Sequence, residues 1–109
     1  MQGVSKMIII GSDLIAYEPV FLSKFEPKNL NPKCNFIVVS NIKEALIANA
    51  NGVKFIVCDT IKLAKKLQKL ANNYLFDSKI ALIINSDNEL EKAAKKQIDA
   101  VIYLGAIRG

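Results

Sequence analysis

The chain has 109 residues, 51% of them hydrophobic, and it contains no histidine and no tryptophan. A chain of this length can build one hydrophobic core but not two, so a single domain spanning residues 1–109 is predicted. The lack of histidine excludes zinc sites with imidazole ligands, Ser-His-Asp and Cys-His nucleophile systems, and histidine acid–base pairs.

The chain is basic, with 15 Lys and Arg against 10 Asp and Glu and a formal net charge of +5. A positive balance is typical of nucleic-acid-binding proteins. However, 15 Ile, 14 Lys and 10 Asn make up over a third of the chain, and all three have codons rich in A and T. Only one basic residue is Arg, whose planar guanidinium is the group that phosphate sites commonly recruit. We therefore interpret the charge as background composition and do not expect a nucleic-acid partner.

The two cysteines do not form a CxxC pair. Cys58 lies within an apolar run and is predicted to be buried, whereas Cys34 lies in a polar loop and is expected to be exposed. Such cysteine usage is typical of the reducing cytosol and predicts a cytoplasmic protein. No apolar stretch approaches the ~20 residues of a membrane span, and the N-terminus lacks the apolar region of a signal peptide. Residues 1–6 are expected to be disordered or an addition to the natural sequence.

Five short apolar runs recur along the chain. Each run is rich in β-branched residues and continuous rather than alternating, which is typical of strands covered on both faces in a parallel sheet. The predicted strands span residues 7–10, 36–39, 55–58, 80–84 and 100–104.

Three segments between these runs have helical periodicity. The first begins at Asn41 and the third at Ser86, each followed three residues later by a glutamate that completes a capping box. The second, residues 60–74, carries an apolar stripe for the sheet and lysines on its other faces. Right-handed crossovers then predict a three-layer α/β sandwich, a mostly parallel sheet of four or five strands with helices on both faces.

The first connection, residues 12–35, differs from the others. Its three prolines fall within fourteen residues and argue against a long regular helix. We expect a short helix or irregular cover, in which Val20, Phe21 and Phe25 close one edge of the core.

In open α/β sheets, ligands bind outside the carboxyl ends of the strands. Small and polar residues follow the predicted strands there: Gly11, Ser12, Asp13, Asp59, Thr60 and Ser86. Hydroxyls and backbone N–H groups at this edge could hold a small phosphorylated or anionic ligand. The alternative is that these residues serve only as turns and helix caps, because helix N-termini begin at the same places.

The strand–helix alternation, the length and the acidic residues after the first and third strands resemble the receiver domains of two-component response regulators, which have a flavodoxin-like fold. The resemblance implies that Asp13 would help to bind Mg²⁺, Asp59 would accept a phosphoryl group and Ser86 would supply the hydroxyl after the fourth strand. The lysine that follows the fifth strand in that family is missing, because Gly105 and its neighbours stand there. A phosphoryl group would lack its protein cation, which favours a degenerate receiver-like module.

Two further resemblances carry no chemistry. Residues 42–77 are similar to small bacterial α/β proteins of unassigned function. The alternation over residues 36–86 is similar to the small F subunit of the rotary V/A-type ATPases, which works by contact.

The chain ends with an apolar tail after its last predicted strand. Because an apolar tail at a sheet edge docks on its own subunit or on a partner, we hypothesise a self-associating surface from Tyr103 to Ile107. The leading expectation is a non-catalytic, cofactor-free binding or protein-interaction module, with an unidentified protein or a second copy as partner. The alternatives are a binder of an anionic ligand at the carboxyl edge and a Mg²⁺-dependent phosphoryl acceptor that uses Asp13 and Asp59 as metal ligands.

Overall fold

A computed structural model describes residues 6–108 of the chain. The prediction made for residues 1–6 therefore lies outside the described residues, except for Lys6. The strands are β1 (Ile8–Ile10), β2 (Val20–Phe21), β3 (Phe36–Val38), β4 (Phe55–Cys58), β5 (Lys79–Ile84), β6 (Ala100–Tyr103) and β7 (Ile107–Arg108). The helices are α1 (Ile42–Ala50), α2 (Ile61–Tyr74) and α3 (Asp87–Lys95).

Five of these strands form one parallel sheet in the order β1-β6-β5-β4-β3. The predicted class, an α/β domain with a parallel sheet of four or five strands, is confirmed. β1 lies at one edge of this sheet and β3 at the other, whereas the flavodoxin-type order places the first strand inside the sheet. From β3 to β6, each new strand is added on the same side of the strand before it, and β1 then pairs with β6 at the end of the row.

The three helices cover one face of the sheet. Crossovers between parallel strands are almost always right-handed, and those from β3 to β6 all step the same way, so successive helices are expected on the same side. The buried apolar side chains of all three helices belong to one core cluster with alternate residues of the strands: Ala45, Ala48, Ala64, Leu67, Ala71 and Ala93. The remaining strand residues form a second cluster that is covered by Val20, Ala106 and Ile107. This cover takes the place of the helices that were expected on the second face.

The first connection crosses this helix-free face, because β1 and β3 lie at opposite edges. β2 pairs in parallel with β7, and Ser23 pairs with β3 through the Phe36 carbonyl and the Val38 N–H. Besides β2, this connection, which lies wholly within the described residues, contains the short 3-10 helix Pro27–Asn29 and no α-helix. Val20 is buried as predicted, but the prediction for Phe21 is wrong: its side chain is 65% exposed, because consecutive strand residues point to opposite sides.

Buried polar side chains tie the amino ends of the strands together. Gln68 on α2 accepts a hydrogen bond from the Asp99 N–H at 2.8 Å, and the Asp99 carboxylate accepts one from the Ile80 N–H at 2.9 Å. The Ser78 hydroxyl donates to the carbonyl of Val53. These bonds meet the rule that buried polar groups have partners, and they fix α2 against β5 and β6.

Both cysteines are buried. Cys58 lies in the core as predicted, but the expected exposure of Cys34 is wrong. The Cys34 carbonyl accepts a hydrogen bond from the Lys54 N–H beside the β3–β4 pair, and its side chain packs into the helix-side cluster. A polar surrounding sequence therefore did not predict where this side chain points.

Candidate functional site

The sheet order determines which predicted site residues share one part of the carboxyl edge. β6 and β5 lie between β1 and β4, so at the usual strand spacing the axes of β1 and β4 are about 14 Å apart. Asp13 follows β1 and Asp59 follows β4, and both side chains are exposed. Within residues 6–108, no group of three or more Cys, Asp and Glu side chains is placed to hold a metal ion. The strand order therefore does not support the paired metal ligands that the receiver resemblance implies.

Gly11 and Ser12, after β1, have structural roles. Gly11 has φ +100° and lies against Tyr103 and Ala106, where no side chain fits. The Ser12 hydroxyl accepts a hydrogen bond from the Leu14 N–H at 3.2 Å and so closes a local turn. Both residue types are thereby explained without a ligand.

Helix capping accounts for the polar residues after β3 and β4. The Asn41 side chain accepts a hydrogen bond from the Glu44 N–H at 2.9 Å, and the Thr60 hydroxyl accepts one from the Leu63 N–H at 3.2 Å. The Glu44 carboxylate reaches back to the Ser40 N–H at 2.8 Å. The predicted N-caps of α1 and α2 are therefore present, but in α1 the glutamate bonds the N–H before the N-cap, so only one of the two bonds of the predicted capping box forms.

Ser86 is the exception at this edge. It occupies the N-cap position of α3 with extended backbone angles, but its side chain makes no capping bond. Instead, the Glu89 carboxylate accepts a hydrogen bond from the Asn85 N–H. Neither bond of the predicted capping box of α3 is therefore formed, and Ser86 is exposed.

A small cleft opens at the carboxyl edge between β4 and β5. Its volume is about 100 Å³, and it is lined by Asp59, Ile61, Leu82, Ile83, Glu89 and Lys92. Pockets for small molecules usually measure ~300–1,000 Å³. Two carboxylates against one ammonium group also give the lining a negative balance, which repels an anion. Neither the size nor the charge of this cleft favours a phosphorylated ligand.

Tyr103 and Ile107, the predicted interface residues, are both engaged by their own chain. The Tyr103 hydroxyl donates a hydrogen bond to the Asp87 carboxylate, and this bond, with smaller contributions from burial and from the Asp87 charge, raises the pKa of Tyr103 to about 12. Ile107 pairs with Val20 and packs against the helix-free face. The tail thus docks on its own subunit, one of the two alternatives for such a segment.

Large apolar side chains stand exposed next to this tail. Leu14 is 93% exposed and Leu104 is 53% exposed, and Ile15 and Tyr17 are exposed as well. We call these four residues the β1–β6 end surface, because they follow two neighbouring strands at the same edge. Sequence reasoning missed Leu14 and Ile15, although their position between a polar turn and Pro19, outside any periodic segment, was an available signal.

Comparison of the chain with protein-family models, with curated proteins and with solved structures finds no match. No helix in residues 6–108 has both the length and the apolar character needed to cross a membrane.

Proposed function

We propose that this protein is a non-catalytic protein-interaction module of the cytoplasm, which binds a second copy of itself through the β1–β6 end surface. The observation that carries the proposal is the exposure of Leu14, whose side chain is almost fully in water, together with the exposure of Ile15 next to it in the chain and of Leu104 after the adjacent strand β6. Clustered exposed apolar residues of this kind mark contact surfaces in proteins. The cytoplasmic setting is supported by two cysteines that form no disulfide.

A second copy is the partner that this surface suits. A two-fold contact brings the same patch together from both subunits, so the patch must be complementary to itself. The segment that carries Leu14 also carries the carboxylates of Asp13 and Glu18, and the nearby β7 carries the guanidinium of Arg108. A two-fold axis can therefore place acidic residues of one copy near the arginine of the other, around an apolar centre.

A contact function also agrees with the carboxyl edge. Ser12, Asn41 and Thr60 at this edge form a turn and two helix caps, and the cleft there is small and negatively balanced. With Asp13 and Asp59 on separated strands and no lysine after β6, we propose that any receiver-like character is degenerate and serves contact rather than phosphoryl transfer.

Static light scattering over a concentration series tests the proposal. We expect the mass to rise from monomer towards dimer with concentration, and we expect Leu14→Ser and Leu104→Ser to hold the chain as a monomer. Leu75→Ser is the matched control, because Leu75 is 84% exposed at the end of α2, outside this surface. A wild-type chain that stays monomeric at millimolar concentration, or a control that lowers the mass equally, would contradict the proposal.

A further inference from the structure

Helix α1 has its large and small apolar residues in unusual places. Ala45 and Ala48 face the sheet and are fully buried, whereas Ile42, Leu46 and Ile47 are 42%, 44% and 37% exposed. A surface helix normally directs its large apolar residues to the core, and a helix that is apolar on all sides is normally covered on all sides. Apart from Lys43, the exposed residues of α1 are all apolar, so most of its outer side has the composition of a buried helix face.

The neighbouring helix α2 presents only positive charge. Its four lysines, Lys62, Lys65, Lys66 and Lys69, are exposed and fall on one side of the helix, and α2 contains no Asp or Glu. Lysines four residues apart repel each other and weaken an isolated helix. In residues 6–108 the ion pair that forms joins Lys28 to Glu26, far along the chain from α2.

A background composition rich in lysine accounts for the number of lysines in the chain. It does not account for their placement on one side of α2 without acidic residues between them. The last helix, α3, has the mixed pattern of an ordinary solvated surface, since Asp87, Glu89 and Glu91 accompany its basic residues. α2 lacks this mixture. Because α1 and α2 are neighbours on the same face of the sheet, the outer side of α1 adjoins the outer side of α2 with its lysines, and we call the two together the α1–α2 surface.

We propose that the α1–α2 surface binds an acidic amphipathic helix of a partner protein. The apolar side of such a helix would pack on Ile42 and Leu46, and its glutamates or aspartates would face Lys62 and Lys66. Recognition of an amphipathic helix by an apolar surface is a recurring binding mode, and charge complementarity adds rate and specificity. α2 is 14 residues long, so a partner helix of about 21 Å could lie along its whole length.

Charge decides between this partner and others. A second copy on the same surface would bring the lysines of one α2 close to those of the other, which like-charge repulsion opposes. Nucleic acid would use the lysines but would gain nothing from the aliphatic side chains of α1, because single-stranded chains stack on aromatic rings and duplexes are held through phosphates. An acidic amphipathic helix uses both halves of the surface.

The test uses the full chain and two labelled synthetic peptides, read by fluorescence anisotropy. One peptide is a helix with leucines on one side and flanking glutamates, and the other carries lysines in place of the glutamates. We expect the acidic peptide alone to bind, with an affinity that falls as salt rises. We expect Leu46→Ser and the double variant Lys62→Glu, Lys66→Glu each to weaken binding by about tenfold or more.

Controls match each variant. Leu14→Ser removes an even more exposed leucine outside the α1–α2 surface, and the double variant Lys6→Glu, Lys24→Glu makes the same charge change elsewhere. Both should bind the acidic peptide like the wild-type chain. All the changed side chains are exposed, and circular dichroism will verify the fold of each variant.

The proposal is overturned if the acidic peptide does not bind, if the basic peptide binds equally, or if the surface variants bind as tightly as the controls. It is also overturned if phosphatidylserine vesicles or mixed RNA bind more tightly than the acidic peptide and lose that binding in Lys62→Glu, Lys66→Glu. Self-association is measured separately by light scattering. Failure of the β1–β6 end proposal therefore leaves this result intact, and the reverse also holds.

Discussion

Gly11 and Ala106 are in such close contact that a Cβ atom added to Gly11 would stand 2.8 Å from the Cβ of Ala106. The same added atom would stand 2.9 Å from the Cβ of Tyr103, and Gly11 has φ +100°, which other residues rarely adopt. We predict that Gly11→Ala lowers the free energy of unfolding by about 2–4 kcal/mol, from backbone strain and overpacking together. Urea unfolding followed by circular dichroism measures this loss.

Gly105→Ala is the matched control for that experiment. Gly105 lies in the same part of the molecule, but nothing stands within 4 Å of a Cβ added there. We expect its effect on the free energy of unfolding to stay within about 0.5 kcal/mol. Equal losses in the two variants would show that the contact between Gly11 and Ala106 is not what excludes a side chain at position 11.

The polar residues after β3, β4 and β5 should differ in their effect on stability. Asn41→Ala and Thr60→Ala each remove a side chain that accepts a helix N–H, so each should cost about 1 kcal/mol. Ser86→Ala removes a hydroxyl that makes no capping bond, so its cost should stay below about 0.5 kcal/mol. Thermal unfolding of the three variants gives the comparison. A cost for Ser86→Ala equal to the other two would contradict the assigned roles.

Local pattern predicted most elements of the fold, because its signals lie within single segments. Continuous β-branched runs marked the five sheet strands, and leucines at helical spacing marked α2. The strand order could not be predicted in this way, because the direction of each crossover depends on which faces of distant segments pack together. Phe21 shows the same limit on a smaller scale: its exposure depends on the pairing of a two-residue strand with β7.

The sequence predicted where the residues of the candidate site lie, but not what each of them does. Polar residues after each strand had to lie at the carboxyl edge, and the structure puts them there. Whether a given side chain caps a helix depends on rotamers and on competing acceptors, as Glu89 shows by bonding the Asn85 N–H next to Ser86. The exposed leucines were harder to foresee, because exposure depends on what the rest of the chain leaves uncovered.

The bond between Tyr103 and Asp87 predicts a pH dependence at the alkaline end. It raises the pKa of Tyr103 from 10.0 to about 12. Because the folded-state pKa lies above the unfolded value, the bond contributes its full stability below pH 10 and loses it as the pH rises from 10 to about 12. Titration of tyrosinate absorbance should show a late step that belongs to Tyr103.

Two variants assign that late titration. Asp87→Asn removes the charged acceptor and should bring the pKa of Tyr103 back towards its ordinary value, while Tyr103→Phe should abolish the late step altogether. The other two tyrosines, Tyr17 and Tyr74, are exposed and are the same in both variants. A late step that survives in Tyr103→Phe would show that another tyrosine is responsible.

Burial should make Cys58 resistant to thiol reagents in the folded protein. Desolvation, with a smaller contribution from the neighbouring Asp59 charge, raises the pKa of Cys58 to about 12, so the reactive thiolate is scarce near neutral pH. We predict that Cys34→Ser, which leaves Cys58 as the only thiol, reacts with a disulfide reagent only as fast as the chain opens. Cys58→Ala should react faster, because Cys34 keeps 9% exposure whereas Cys58 has none.

In guanidinium chloride both variants should react at the same rapid rate. Rapid labelling of native Cys34→Ser would mean that β4 is accessible to solvent and that the core beneath α2 is not closed.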